Sequence, residues 1–187
     1  METMKTLLSR RSISKLTNPH PSKDEMSDVY QAALRAPDHA WLRPWKFIEV
    51  TGESRKKLGQ AFIESTKKTE EIDEERENKI AALPFRSPMI IVVIAKVNYD
   101  KPNVPRLEQI QSTAAAAQNI LLALHDKGYG CYWRTGKYSS ERNKFISSEL
   151  SLDESNEVLG YLYVGTPDGE KPKIPELDNK DFVTYWD

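Results

Sequence analysis

From Pro88 to Val97 the chain is one apolar, largely β-branched run that no charged or polar residue interrupts before Lys96. A strand with one wet face alternates apolar with polar residues. This run does not alternate, so it predicts a strand buried on both faces, in a sheet covered on both sides. Residues 106–127 add a second constraint. They predict a long helix whose centre, Thr113 to Leu124, is dominated by Ala and Leu. A helix that is apolar all round belongs in a core or against another subunit. Gly128 is placed to end it.

The remaining elements are read from local signals. Residues 3–9 predict a short helix with Met4, Leu7 and Leu8 on one face. Ser22 followed by Glu25 is a capping-box pattern, and Met26, Val29, Tyr30 and Ala33 follow at helical spacing. That helix must stop before Pro37. Lys46 to Thr51 alternates as a strand does, with Phe47 and Glu49 on one side and Ile48 and Val50 on the other. Ser54 to Leu83 reads as one or two charged surface helices, and its block Lys67 to Lys79 lacks a continuous apolar face. A further helix is expected at roughly 139–149 and a strand at Val158 to Val164, closed by Gly165-Thr166-Pro167. The last stretch is polar and proline-containing until Phe182-Val183-Thr184-Tyr185-Trp186. That aromatic end either packs back on its own domain or covers the sheet edge of a second copy.

The 187 residues, 39% hydrophobic and 29% charged, suit a single globular domain spanning 1–187. The formal net charge of -1 provides no basic field for nucleic acid or a membrane surface. The lone Cys131 excludes an intrachain disulfide and a cysteine metal cluster, and fits a reducing, cytoplasmic setting. The N-terminus lacks the pattern of a signal peptide, and the apolar runs are too short to span a bilayer. His20, His39 and His125 lack paired metal-ligand spacing, so no metal site is expected. There is no phosphate-binding Walker loop and no nucleophile elbow. A dinucleotide fingerprint starting at Gly128 and Gly130 fails, because Trp133 stands where its third glycine belongs.

What remains is arginine and aromatic side chains. Arg10-Arg11-Ser12 puts two fixed charges and a hydroxyl at the end of the first helix. The run Ala36-Pro37-Asp38-His39-Ala40-Trp41-Leu42-Arg43-Pro44-Trp45-Lys46-Phe47 is a proline-broken turn that enters a strand. Together they offer what a flat, phosphate-bearing, electron-poor cofactor needs, and they point to a flavin. Taken singly, each has a plain alternative. Arg10, Arg11 and Arg35 can be solvated charges that compensate helix ends. His39 can be an ordinary turn histidine, and Trp133-Arg134 a core aromatic beside a surface charge.

In combination these residues resemble one family. Arg10-Arg11-Ser12, Arg35-Ala36-Pro37-Asp38-His39, Pro44-Trp45-Lys46-Phe47, Pro84-Phe85-Arg86-Ser87-Pro88, Trp133-Arg134-Thr135-Gly136 and Leu162-Tyr163-Val164-Gly165-Thr166-Pro167 occur in the order found in the nitroreductases. The chain is most similar to the short bacterial branch of NAD(P)H nitroreductases. The resemblance implies an α+β sandwich, with a central, mostly antiparallel sheet flanked by helices. It also implies an intertwined homodimer with FMN at the interface and a C-terminal segment crossing to the partner. Carried over by position, Arg10, Arg11 and Ser12 would hold the phosphate and ribityl end, and Arg35 and His39 would border the ring or tail. Trp133, Arg134 and Thr135 would line the flavin, and Ala123, Leu124, His125, Asp126, Lys127 and Gly128 would meet the nicotinamide.

The activity so implied is hydride transfer from NADH or NADPH through FMN to a nitroaromatic, quinone or similar acceptor. No side chain acts as catalyst, because the flavin carries the chemistry. A guanidinium near the pyrimidine end, Arg134 or Arg35, would stabilise the reduced flavin. Two departures stand out. Leu42 and Arg43 occupy the turn where longer relatives carry Asn and Gln, and of the late basic residues that those relatives use on the phosphate only Lys171 and Lys173 are near. Two other readings share the fold: an FMN-binding or interaction protein with little turnover, and a structural dimer without cofactor.

Overall fold

The computed structural model describes residues 2–135 and 140–186. Its centre is β3 (Met89–Lys96), the apolar run, in which every residue but the last is buried. β3 lies between β2 (Trp45–Thr51) and β5 (Asn156–Pro167), and β5 also pairs with β1 (Leu16–Thr17) and β4 (Gly130–Arg134). All four pairings are antiparallel.

The two faces of β3 explain its composition. Met89, Ile91 and Val93 pack under α2 (Lys23–Ala33) and α5 (Arg106–Asp126), with Val29, Ile120 and Leu124. Ile90, Val92 and Ile94 pack on the opposite side, with Leu58 and Ala61 of α3 (Ser54–Lys67) and Ile146 of α6 (Ser140–Glu149). Fully burying an Ile or Val side chain contributes roughly 1.5–3 kcal/mol. A polar residue on either face would forfeit that and strand an unpaired group. The expected α+β layering, helices on both sides of an antiparallel sheet, is therefore what the chain adopts.

Local signals hold where they were strongest. Ser22 and Glu25 form the reciprocal capping box at the start of α2. α5 ends in a Schellman motif: Tyr129 N–H donates to Leu124 O at 2.9 Å, Gly128 N–H donates to His125 O at 3.0 Å, and Gly128 sits at φ 89°. The charged stretch divides into α3 and α4 (Glu74–Ala81), the latter capped by Asp73. Phe47 packs on the α2/α5 side of the sheet and Ile48 and Val50 on the other.

Other expectations are corrected. β5 does not close at Gly165; it runs to Pro167, because Thr166 and Pro167 pair with Thr17 and Leu16. β1 and β4 have no strand signature in sequence, being respectively two residues long and a five-residue segment opened by glycine. The centre of α5, Thr113 to Leu124, puts Ala116, Ala117, Ile120 and Leu124 in the core and leaves Gln118 exposed. α1 (Thr3–Ser9) buries only Thr6, so Met4, Leu7 and Leu8 stay at the surface. The aromatic end does not pack back on the chain's own core, and Trp186 is 96% exposed.

One irregularity positions the site. The β3/β5 register shifts between Val93 and Ile94, bulging β5 beside Gly160, whose φ is 149°. A Cβ there would lie 2.5 Å from Trp133 Nε1 and 2.9 Å from Arg134 O. Gly160→Ala is expected to destabilise the fold by roughly 1–3 kcal/mol through overpacking. Urea unfolding checks this, and an unchanged midpoint would show that the indole moves aside freely.

Candidate functional site

The C-terminal end of α1 lies against the C-terminal end of α5. Thr6 Oγ1 donates to Asp126 Oδ1 at 3.1 Å, and Ser9 Oγ meets His125 Nε2 at 2.8 Å. After α1 the backbone turns extended at Arg10, and Ile13 N–H donates to Cys131 O at 3.0 Å. Residues 10–13 are thereby laid along the start of β4, which brings Arg10 and Arg11 to His125. The segment after β5 completes the cluster. Arg11 Nη1 donates to Pro172 O at 2.7 Å, and Lys171 lines a cleft of about 280 Å³ with Ser9, Arg11, His125 and Gly128.

The electrostatics of this cleft are legible in His125. Partial burial, then the charges of Lys171, Arg10 and Arg11, hold its imidazole below its ordinary pKa. Three cations thus converge on a neutral histidine. Cys131, at the floor of the same corner, is buried, which pushes its thiol up and leaves it protonated rather than nucleophilic.

Of the 123–128 segment, the cleft receives His125, Asp126 and Gly128. Leu124 is fully buried in the core, so its side chain meets no ligand. The Lys127 ammonium turns away to Asp28 at 2.8 Å, and Asp126 accepts from Thr6. Ala123 is half-buried and faces a different groove, beside Arg35.

β4 leads away from the cationic corner, and alternation along it separates two residues that the motif places together. Cys131 and Trp133 face the α2/α5 side. Arg134 faces the other side, where its charge, with that of Arg86, acts on the buried Tyr163 hydroxyl. Burial nevertheless raises the Tyr163 pKa. The Trp133 indole rests on Gly160, and its Nε1 is buried without a hydrogen-bond partner. Thr135 is exposed just beyond the strand, and Gly136 lies outside the described residues. Arg134 and Trp133 therefore cannot both present side chains to one planar ring on one face of the strand.

The second half of the motif set lies elsewhere. Arg35, exposed at the end of α2, borders a groove of about 560 Å³ with Leu7, Asn119 and Leu122. His39 Nδ1 is 2.7 Å from Glu108 Oε2, near the start of α5. The turn between them is anchored through Pro44, whose carbonyl accepts from Lys96 N–H at 2.8 Å and from Thr113 Oγ1 at 2.9 Å. From Glu108 to His125 along α5 is about 26 Å at 1.5 Å per residue. Within one chain His39 is thus a full helix length from the cleft of Arg10, Arg11 and His125.

Lys171 is the residue whose placement sequence reasoning left open. Its only signal was a basic position four residues after Pro167. Among the described residues, no group of three His, Cys, Asp or Glu side chains is close enough to hold a metal ion, and no helix is long and apolar enough to cross a membrane.

Comparison with known proteins gives one consistent result. The model of the nitroreductase family matches residues 7–166. The protein named "Putative NAD(P)H nitroreductase YdjA" of Escherichia coli (strain K12) is 32% identical over 187 residues, covering 100% of both chains. A Haemophilus influenzae protein named "Putative NAD(P)H nitroreductase" is 31% identical over 186 residues, 99% of this chain and 100% of that one. Among solved structures, a nitroreductase-like family protein from Bacillus cereus superposes with a TM-score of 0.81 at 24% identity, over 99% of this chain and 96% of the other. An FMN-dependent nitroreductase from Clostridium difficile R20291 gives 0.73 at 26% identity, over 98% of each. With its motifs, its sheet and its full-length relatives in agreement, this chain belongs to the nitroreductase family.

Proposed function

We propose that the protein binds FMN and acts as an NAD(P)H-dependent oxidoreductase that reduces a nitroaromatic, quinone or similar small acceptor. The observation that carries this reading is the cleft in which Arg11 and Lys171 flank His125, with Arg10 close enough for its charge to act on the same imidazole. The positive charge acting on this imidazole outweighs that of Asp126, the acid lining the cleft, and a phosphate monoester suits that charge and volume. Ser9 and His125 add polar groups at 2.8 Å from one another. Farther along β4, the half-buried Trp133 indole, its Nε1 packed against Gly160, supplies an aromatic surface. Cationic corner and indole are joined by one strand, and a phosphate-bearing planar cofactor fits that pairing of charge and flat surface.

Bound FMN would supply the hydride-carrying centre that no side chain here provides. The chain's own residues bind and orient. Arg10, Arg11 and Lys171 neutralise the phosphate. Ser12, exposed beside them, offers a hydroxyl. Trp133 contributes a flat wall. His125 is held neutral and keeps its contact with Ser9.

The same reading makes the protein a homodimer, because Arg35 and His39 reach a flavin only if the flavin belongs to a second copy. The exposed Met4, Leu7 and Leu8 of α1, Leu34 at the end of α2, and Leu107 of α5 supply apolar surface for that contact. Phe182, Tyr185 and Trp186 of the tail, all largely exposed, would be covered by crossing to the partner.

Three outcomes are expected. The purified protein should show a flavin spectrum that bleaches under anaerobic NADPH or NADH; a flavin that stays oxidised would instead indicate a binding protein with little turnover. Arg10→Ala combined with Lys171→Gln should weaken FMN binding by at least about tenfold, since a charge-assisted hydrogen bond contributes roughly 1.5–3 kcal/mol. Flavin content per folded chain measures it, with circular dichroism as the check on folding.

The third outcome concerns pH. Because the folded-state pKa of His125 lies below the unfolded value, the unfolded chain takes up the proton first. Stability is therefore complete above pH ~6.5 and falls as pH drops toward the folded pKa. FMN phosphate in the cleft would offset the three cations and raise that pKa. An NMR titration of the His125 imidazole in flavin-free and FMN-loaded protein should show the upward move. No movement would detach the cleft from the phosphate.

A further inference from the structure

The turn from Asp38 to Arg43 is the most strained segment of the described backbone. Ala40, Trp41 and Arg43 adopt φ of 57°, 58° and 48°, in the left-handed region that non-glycine residues seldom occupy. The turn is held there at several points. The Asp38 carboxylate accepts from Arg43 N–H at 2.8 Å, His39 is tied to Glu108, and Pro44 is fixed by Lys96 and Thr113. The product of this scaffolding is an indole turned out to solvent: Trp41 is 80% exposed. Arg43 stands beside it, its guanidinium 5.7 Å from the ring centroid. A braced, strained turn that holds a tryptophan upright leaves its ring free to meet a group presented from outside its own chain.

We propose that Trp41 and Arg43 form the recognition element for the electron acceptor, and that they select planar, electron-poor rings carrying an acidic substituent. This rests on the reading above, in which the His39 turn borders the flavin of a second copy. An electron-rich indole stacks favourably on an electron-poor nitroaromatic or quinone ring. The Arg43 guanidinium lies over the indole ring, and its exposed, flexible side chain can swing from there to take a carboxylate or sulfonate on a ring stacked on the other face, bidentate and charge-assisted. Beyond Arg43 the turn opens into a cleft of about 380 Å³, shared with Lys96, Tyr99, Asp100 and Asp153, that is mixed in charge. Discrimination between charged and neutral acceptors therefore falls to Arg43, and ring recognition to Trp41. Substituting either side chain spares the brace of the turn, because Asp38 binds the Arg43 backbone and not its guanidinium.

The test separates the two half-reactions. Bleaching of the flavin by NADPH is recorded first, by stopped-flow absorbance. Reoxidation of the reduced flavin by 4-nitrobenzoate and by nitrobenzene is then measured for the unaltered protein, Arg43→Gln, Arg43→Lys, Trp41→Ala and Trp41→Phe. Arg43→Gln should lower the ratio of the 4-nitrobenzoate to the nitrobenzene rate constant by about two- to fivefold, the worth of one exposed ion pair, with Arg43→Lys restoring part of it. Trp41→Ala should slow both acceptors several-fold without changing their ratio, and Trp41→Phe should rescue both. If the unaltered protein bleaches and reoxidises but the variants keep its ratio and rates, the turn is not the acceptor site. If it does not bleach at all, the oxidoreductase reading fails and takes this assignment with it.

Discussion

Helix α5 is the member on which the rest of the structure depends. Its core face of Ala116, Ala117, Ile120, Leu121 and Leu124 lies on the sheet, and small side chains let the helix sit close to it. Twenty-one residues make it about 30 Å long, a rigid rod that no local change can shorten. Each end holds a different part of the candidate machinery. At the N-terminal end Glu108 takes His39 and Thr113 takes the Pro44 carbonyl, fixing the proline-broken turn. At the C-terminal end His125 and Asp126 take Ser9 and Thr6, fixing the cationic segment. The separation of the two halves follows from this rod. A site that needs both must draw them from different copies of the chain.

The cationic corner costs stability on its own. Arg10, Arg11 and Lys171 all act on a histidine kept neutral, and Asp126, the acid lining the cleft, is engaged by Thr6. Exposure limits the repulsion, since water and salt screen it. The fold tolerates the corner because it lies at the margin of the sheet, away from β3. The bulge at Gly160 shows the same division of labour. It breaks the regular register of β5 just where the indole of Trp133 needs room, while the other pairs along β3 remain intact. Strength sits in the β-branched centre, and irregularity is pushed to the strand beside the site.

What could be read from the sequence follows from the range of the interactions involved. The β3 run, the capping box at Ser22 and Glu25, and the Gly128 terminator are set within a few residues of themselves, so each was legible. The strand Gly130–Arg134 was not, because its identity comes from pairing with residues 161–165, some thirty positions later. That omission carried into the site. Without the strand, Trp133 and Arg134 looked like one patch, whereas alternation sends them to opposite faces. In the same way Leu124 looked available beside His125 until the orientation of α5 placed it in the core. Lys171 lies on an irregular segment whose position is set by one long-range bond from Arg11 to Pro172, for which no local pattern exists. Motif order places residues along the chain without saying which way they point.

The turn at 38–43 brings these arguments together. Its conformation is unfavourable for the residues that occupy it, and no glycine relieves it at Ala40, Trp41 or Arg43. Such a turn persists only where its surroundings over-determine it, and here the anchors come from its own Asp38, the start of α5 and the end of β3. Because these anchors grip backbone and His39, the outward side chains, Trp41 and Arg43, are free to vary without loss of the fold. The phosphate end of the proposed flavin site is different: there Arg11 and His125 are themselves parts of the local bonding. A fold arranged in this way can keep one cofactor while changing its acceptor, since the groups that would grip the cofactor are tied into the structure and those that would meet the acceptor are not.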